Sequence, residues 1–174
     1  MRFSYRGIRV ASNYENMYPN GTDVIGVGHV APTNEHITRL WFEITNKYAT
    51  EPRVIFGLMN EPHHVPFATL TNYHNLAIAA IRDREKALGV APHLVLVAGN
   101  NWSRPSEWFS KNENDTYMNA NDALFLDQIK DTANHYAVEI NIFFDTDESG
   151  RYGTAECKTL AEHRITFDPV WSRF

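Results

Sequence analysis

Residues 54–61 read Val-Ile-Phe-Gly-Leu-Met-Asn-Glu, and Pro62 and His63 follow. An apolar run without charge predicts a strand buried on both faces, the condition of parallel strands covered by helices. The run delivers Asn60, Glu61 and a proline at the point where such a strand must end. A carboxylic acid is thereby placed at the C-terminal tip of a buried strand.

The surrounding text supplies more units of the same kind. Residues 7–11 (Gly-Ile-Arg-Val-Ala) predict a short strand ending at Ser12-Asn13-Tyr14. The polar, Gly-rich stretch 15–31 is too long for an ordinary connection and is a candidate binding loop. Pro32 and Thr33 open a helix, with Thr33 as its N-cap. Ile37, Leu40, Trp41, Ile44 and Tyr48 fall at helical spacing and predict one apolar stripe. Pro52 marks the end of this helix. A second helix is predicted over 69–88, with Leu70, Tyr73, Ala77, Ala80 and Ile81 on one side and Gly89 as its stop. Residues 94–98 are the next buried strand and deliver Gly99-Asn100-Asn101-Trp102. Shorter helices are expected at 106–110 and 124–129. A fourth strand over 138–144 alternates, Val138, Ile140, Ile142 and Phe144 facing one way and Glu139, Asn141 and Phe143 the other. It leads into the acidic loop Asp145-Thr146-Asp147-Glu148. Strands alternating with helices imply an α/β fold with a parallel sheet and right-handed crossovers. In α/β barrels the C-terminal ends of the strands carry the chemistry, which makes Glu61 the first candidate.

Composition narrows the function classes. Hydrophobic residues make up 43% of 174, enough for one domain, 1–174, with a sizeable core. A net charge of −5 gives no electrostatic reason to expect nucleic acid or an anionic membrane as partner. No apolar run is long enough to span a bilayer. Cys157 is alone, so no internal disulfide is expected. No signal peptide is read at Met1-Arg2-Phe3. Asn20, Asn101 and Asn114 head formal glycosylation sequons, weak support for a secreted origin. His63 and His64 are adjacent rather than one helical turn apart. The acidic loop lacks the glutamate that closes a calcium loop. No metal and no organic cofactor are expected.

Four segments, in order and at matching spacing, resemble glycoside hydrolase family 5, the cellulase family. Asn13-Tyr14 resembles the end of a His-Asn-Tyr motif after the third barrel strand. Residues 56–63 (Phe-Gly-Leu-Met-Asn-Glu-Pro-His) resemble the fourth strand with its acid/base. Residues 97–102 resemble the fifth strand's Pro-Gly-Asn-x-Trp, and 139–150 the sixth strand and its acidic loop. The resemblance implies retaining hydrolysis of a β-1,4-glucan, with two carboxyl groups about 5 Å apart flanking the bond. It implies Glu61 as acid/base and Asn60 as partner of the sugar 2-hydroxyl. It also implies a saccharide groove drawing on Asn13, Tyr14, His63, Asn100, Trp102 and Asn141, and a secreted protein.

The chain departs from the family pattern at Ser12, Asn141 and Phe143, which stand where the family has His, His and Tyr. No glycine in the chain is followed by glutamate, so the family's nucleophile strand has no counterpart. The expectation is a partial, roughly half TIM barrel of about four parallel strands. Its open edges predict a homodimer. Asp145, Asp147 and Glu148 are candidates for a second carboxylate. The alternative reading is a non-catalytic carbohydrate-binding or structural fragment of the same fold.

Overall fold

The computed structural model describes residues 8–9, 33–62, 67–104, 127–143 and 145. They form four parallel strands, β1 (Ile8–Arg9), β2 (Phe56–Gly57), β3 (Val95–Ala98) and β4 (Tyr136–Glu139), in the order β1-β2-β3-β4. Helix α1 (Asn34–Tyr48) connects β1 to β2, and α2 (Phe67–Leu88) connects β2 to β3. A sheet whose strands follow chain order, with its crossover helices on one face, has the winding of a β/α barrel; a doubly wound sheet reverses direction.

Local chemistry explains both helices. Thr33 caps α1: its Oγ1 accepts from the His36 amide, and the His36 ring accepts from the Thr33 amide. Helix α2 ends at Gly89, which adopts φ +68°. The Gly89 amide bonds the Lys86 carbonyl and the Val90 amide the Glu85 carbonyl, the paired closing bonds of a left-handed glycine cap.

The core lies between the helices and the outer face of the sheet. Phe56, Val95 and Val97 have no solvent exposure and meet Ile37 and Trp41 of α1 and Leu70, Tyr73, Ala77, Ile78 and Ile81 of α2. The Trp41 and Phe56 rings stand edge to face, 6.2 Å apart at 83°. Alternation along the strands then sends Gly57, Leu96 and Glu139 to the opposite, inner face. A Cβ on Gly57 would lie 3.9 Å from the Glu139 carboxylate, as two groups sharing that face require.

Several expectations need correction. Leu40 does not belong to the buried stripe of α1: it is 43% exposed, and Thr45 is buried instead. The Thr45 hydroxyl donates to the Trp41 carbonyl 2.7 Å away, which lets a polar residue occupy that face. Helix α2 begins at Phe67, two residues before the expected 69. The fourth strand pairs over Tyr136–Glu139 rather than 138–144, because its partner β3 ends at Ala98 opposite Glu139. The predicted sidedness nevertheless holds, with Val138 and Ile140 packed against the core. The expected helix at 106–110 lies outside the described residues. Of 124–129, residues 127–128 are described as helical.

The N-terminal ends of the strands are joined by an ionic network. Arg82 of α2 donates to Asp131 through Nε (2.7 Å) and an Nη (2.9 Å), to Glu85 (2.8 Å), and to the His93 and His135 carbonyls. Glu85 accepts from the amide of His93 and contacts its ring at 2.9 Å. All three charged side chains are buried. A buried charge is tolerable when paired and fully bonded, and removing one partner strands the other. Burial by itself would raise the Asp131 carboxyl. The Arg82 guanidinium and the amides of Ala133 and His135 outweigh it and hold the group down at about 2. A carboxyl depressed on folding stabilises above its ordinary value of 3.8, and the contribution is lost as pH falls through about 2. Asp131→Asn is therefore expected to cost about 2 kcal/mol at pH 7, with the gap to wild type shrinking below pH 4. Urea unfolding followed by tryptophan fluorescence at both pH values reads this directly. A gap independent of pH would mean that packing, not charge, holds Asp131.

Candidate active site

The C-terminal ends of β2, β3 and β4 converge on one carboxyl group. Beyond Gly57 the chain continues through buried Leu58 and Met59, and the Leu58 amide still bonds the Leu96 carbonyl at 3.1 Å. It then turns at Asn60, Glu61 and Pro62, Glu61 taking the left-handed φ of 49°. Non-glycine residues in that region cost on the order of 1–2 kcal/mol and persist where surrounding bonds hold them. Two such bonds are present. The Pro62 carbonyl accepts from the Trp102 amide at 3.0 Å, and Glu61 Oε1 accepts from Asn141 Nδ2 at 3.0 Å. Glu61 is half-buried, whereas Asn60 keeps a buried Oδ1 with no hydrogen-bond partner among the described residues.

After β3 the chain makes a one-turn 3-10 segment, Asn101–Ser103, in which all three residues are left-handed (φ 53°, 60° and 54°). The turn lies across the exits of both neighbouring strands. Trp102 reaches β2 through Pro62, and the Ser103 carbonyl accepts from the Asn141 amide, beyond β4, at 3.0 Å. The Trp102 indole is half-buried and the Arg104 guanidinium stacks over it, 4.8 Å from the ring centre.

The expected site residues separate into groups. Glu61, Asn60, Trp102 and Asn141 belong to one rim. Asn100 is 1% exposed and its Oδ1 accepts from the Asn101 amide, so it braces the turn rather than offering an amide to a ligand. Asp145 is half-buried with one carboxylate oxygen fully enclosed. Asn13, Tyr14, His63 and Asp147 lie outside the described residues, as do Glu148, Cys157 and the sequons at Asn20 and Asn114. The sequon at Asn101 is not offered to a glycosylating enzyme by the fold, because Asn101 is 2% exposed. A concavity of about 1130 Å³ opens at the opposite end of the sheet, lined by residues 49–55, 90–94 and His135. It contains none of the rim residues, and its size does not make it the site. Among the described residues no three His, Cys, Asp or Glu side chains cluster as metal ligands.

Ser103 and His74 escaped the sequence reading. A serine in a turn carries no pattern of its own. His74 belongs to no motif, although its place four residues after Leu70 and three before Ala77 put it on the buried side of α2. Its Nε2 donates to the Ala98 carbonyl at 2.9 Å and so supports the end of β3.

A parallel β/α sheet with a carboxyl group at its C-terminal rim has the arrangement of an α/β barrel, which carries its functional residues at that end. A family model, Cellulase (glycosyl hydrolase family 5), matches residues 11–167, and the chain belongs to that family. Endoglucanase 1 of Robillarda sp. is 30% identical over 141 residues, which are 81% of this chain and 33% of that protein. Endoglucanase EG-II of Hypocrea jecorina is 29% identical over 136 residues, 76% of this chain and 29% of that protein. The chain thus spans about a third of the length of these curated relatives. The crystal structure of Cel5A (EG2) from Hypocrea jecorina superposes with a TM-score of 0.73 at 28% identity, covering 97% of this chain and 46% of that one. XacCel5A in complex with cellopentaose gives 0.69 at 27% identity, covering 84% and 43%. The fold is accordingly a partial TIM barrel.

Burial holds the His74 imidazole down at about 4, its bond to Ala98 opposing the shift. A histidine depressed on folding contributes stability that is complete above its ordinary 6.5 and is lost as pH falls from 6.5 towards 4. The wild type is expected to lose about 3 kcal/mol across this window through His74. His74→Gln, which retains a donor but does not titrate, should flatten the dependence. Chemical unfolding at several pH values between 7 and 4 tests it, and equal slopes for the two proteins would refute the assignment.

Proposed function

We propose that this chain carries β-1,4-glucan hydrolysis, with Glu61 as proton donor and base. The observation that carries this reading is the arrangement at the rim. A carboxyl group is held in a left-handed turn by an amide donor. Beside it stands Asn60, whose buried Oδ1 has no hydrogen-bond partner among the described residues. A buried oxygen left unbonded costs about 1–3 kcal/mol, which an incoming sugar hydroxyl would recover. Trp102 offers an apolar face for a sugar ring. Asn13, Tyr14 and His63 would extend the same groove. A polymeric glucan is met outside the cell, so a secreted protein belongs to this reading. So does a homodimer joined through β1 and β4, the edge strands of the described sheet.

Hydrolysis needs a second carboxyl group. Asp145 and Asp147, on the loop after β4, are the proposed sources. A separation near 5 Å gives retention, and about 6.5–9.5 Å gives inversion through water. The second reading is saccharide binding without turnover. It is favoured by one observation: among the described residues, the side chain bonded to Glu61 is an amide, not a carboxylate.

Reducing-sugar release from soluble β-glucan, measured for wild type and Glu61→Gln, decides between them. The variant is expected to lose at least about 100-fold in rate while retaining cello-oligosaccharide binding. Equal rates for the two proteins remove Glu61 from the mechanism. Binding without release by the wild type selects the second reading.

A further inference from the structure

The last paired residues of β3 and β4 are Ala98 and Glu139. Beyond them a serine takes over the ladder. The buried Ser103 Oγ accepts from the Gly99 amide at 2.9 Å and donates to the Glu139 carbonyl. One hydroxyl therefore stands between an amide of one strand and a carbonyl of the next, where a direct bond would otherwise be made. The carbonyl of the same residue accepts from the Asn141 amide, and the Asn141 side chain donates to Glu61. Ser103 is thus joined to both strand exits, and Asn141 carries its placement to the carboxyl group.

We infer that Ser103 is a positioning residue for Glu61, acting through Asn141; the inference rests on the role assigned to Glu61 above. The geometry favours this over general support of the fold. The bonds of Ser103 run to Gly99, Glu139, Asn100 and Asn141, all at the C-terminal rim. Its left-handed φ of 54° is a conformation that serine adopts at a cost and glycine adopts freely. The hydroxyl, not backbone ease, is the physical reason for serine here. Without it, the Gly99 amide and the Glu139 carbonyl lose a shared partner and the two strand exits change their spacing, which moves Asn141, still bonded to the backbone carbonyl of residue 103, relative to β2. Asn141 Nδ2 then leaves Glu61 Oε1.

Ser103→Gly separates these contributions, since glycine keeps the turn without strain and removes the hydroxymethyl group that carries both hydroxyl bonds. The first readout is the Asn141 side-chain amide in a ¹⁵N–¹H spectrum, assigned by its loss in Asn141→Asp. In the wild-type background, Glu61→Gln should shift this signal. In the Ser103→Gly background, the same change should leave it unmoved, because the contact is already gone. The second readout is hydrolysis: kcat should fall on the order of 10-fold with KM within about two-fold, the signature of a misplaced reacting group. Equal responses of the Asn141 signal in the two backgrounds overturn the inference. Absence of hydrolysis by the wild type overturns the catalytic role of Glu61 instead, while the amide signal still decides whether Ser103 places it.

Discussion

The site depends on a single turn of left-handed backbone after β3. Three consecutive residues, Asn101, Trp102 and Ser103, adopt a conformation that costs L-amino acids on the order of 1–2 kcal/mol each. Only asparagine among them accepts it readily. The turn is kept because bonds leave it in both directions, to Pro62 on one side and Asn141 on the other. These bonds hold Glu61 and Asn141 within hydrogen-bonding distance. Strain at the rim and precision of the rim have the same origin.

The two ends of the sheet solve different problems. At the N-terminal end, Arg82, Glu85 and Asp131 close a charged network in which each group is bonded to a partner, and the helix–strand connections are fixed there. At the C-terminal end, satisfaction is incomplete. The Asn60 oxygen is enclosed and has no partner among the described residues, and the Trp102 ring is half-buried. Complete pairing stabilises one end, and the rim carries the cost of an acceptor left unmet among the described residues. The broad concavity at the first end is lined by the connections that precede β2 and β3 and brings none of the rim chemistry together.

Much of the fold was legible in the sequence because burial leaves a period. The uncharged run 54–59, the stripe of α2 and the Thr33 and Gly89 caps all announce themselves through spacing or backbone demands. Glu61 was legible because a strand must end where its proline stands. Leu40 was misread because a stripe marks a face, and the outer margin of a face is decided by what packs against it. The fourth strand was misplaced by two residues at its start because alternation fixes which side a residue faces, not where its neighbour stops. The ionic network escaped notice, though Arg82 and Glu85 continue the buried stripe of α2 from Ile78 and Ile81, where charged residues are anomalous. Ser103 could not be found that way: its role arises from contacts separated by 36 and 38 positions in the chain, which no local pattern encodes.

Gly57 gives the inner wall of the sheet a particular character. With hydrogen in place of a side chain, the strand leaves a hollow there, and the Glu139 carboxylate of the second strand over reaches to its edge. A methyl group would fit in ordinary contact, but any longer chain would compete with that anion for the same volume. The layer beneath the rim therefore combines Leu96 with an acidic side chain, where barrel interiors are commonly filled by branched hydrocarbon alone. The width of the inner wall at that level is set by an acid that crosses from another strand, so a change at Gly57 would be felt two strands away.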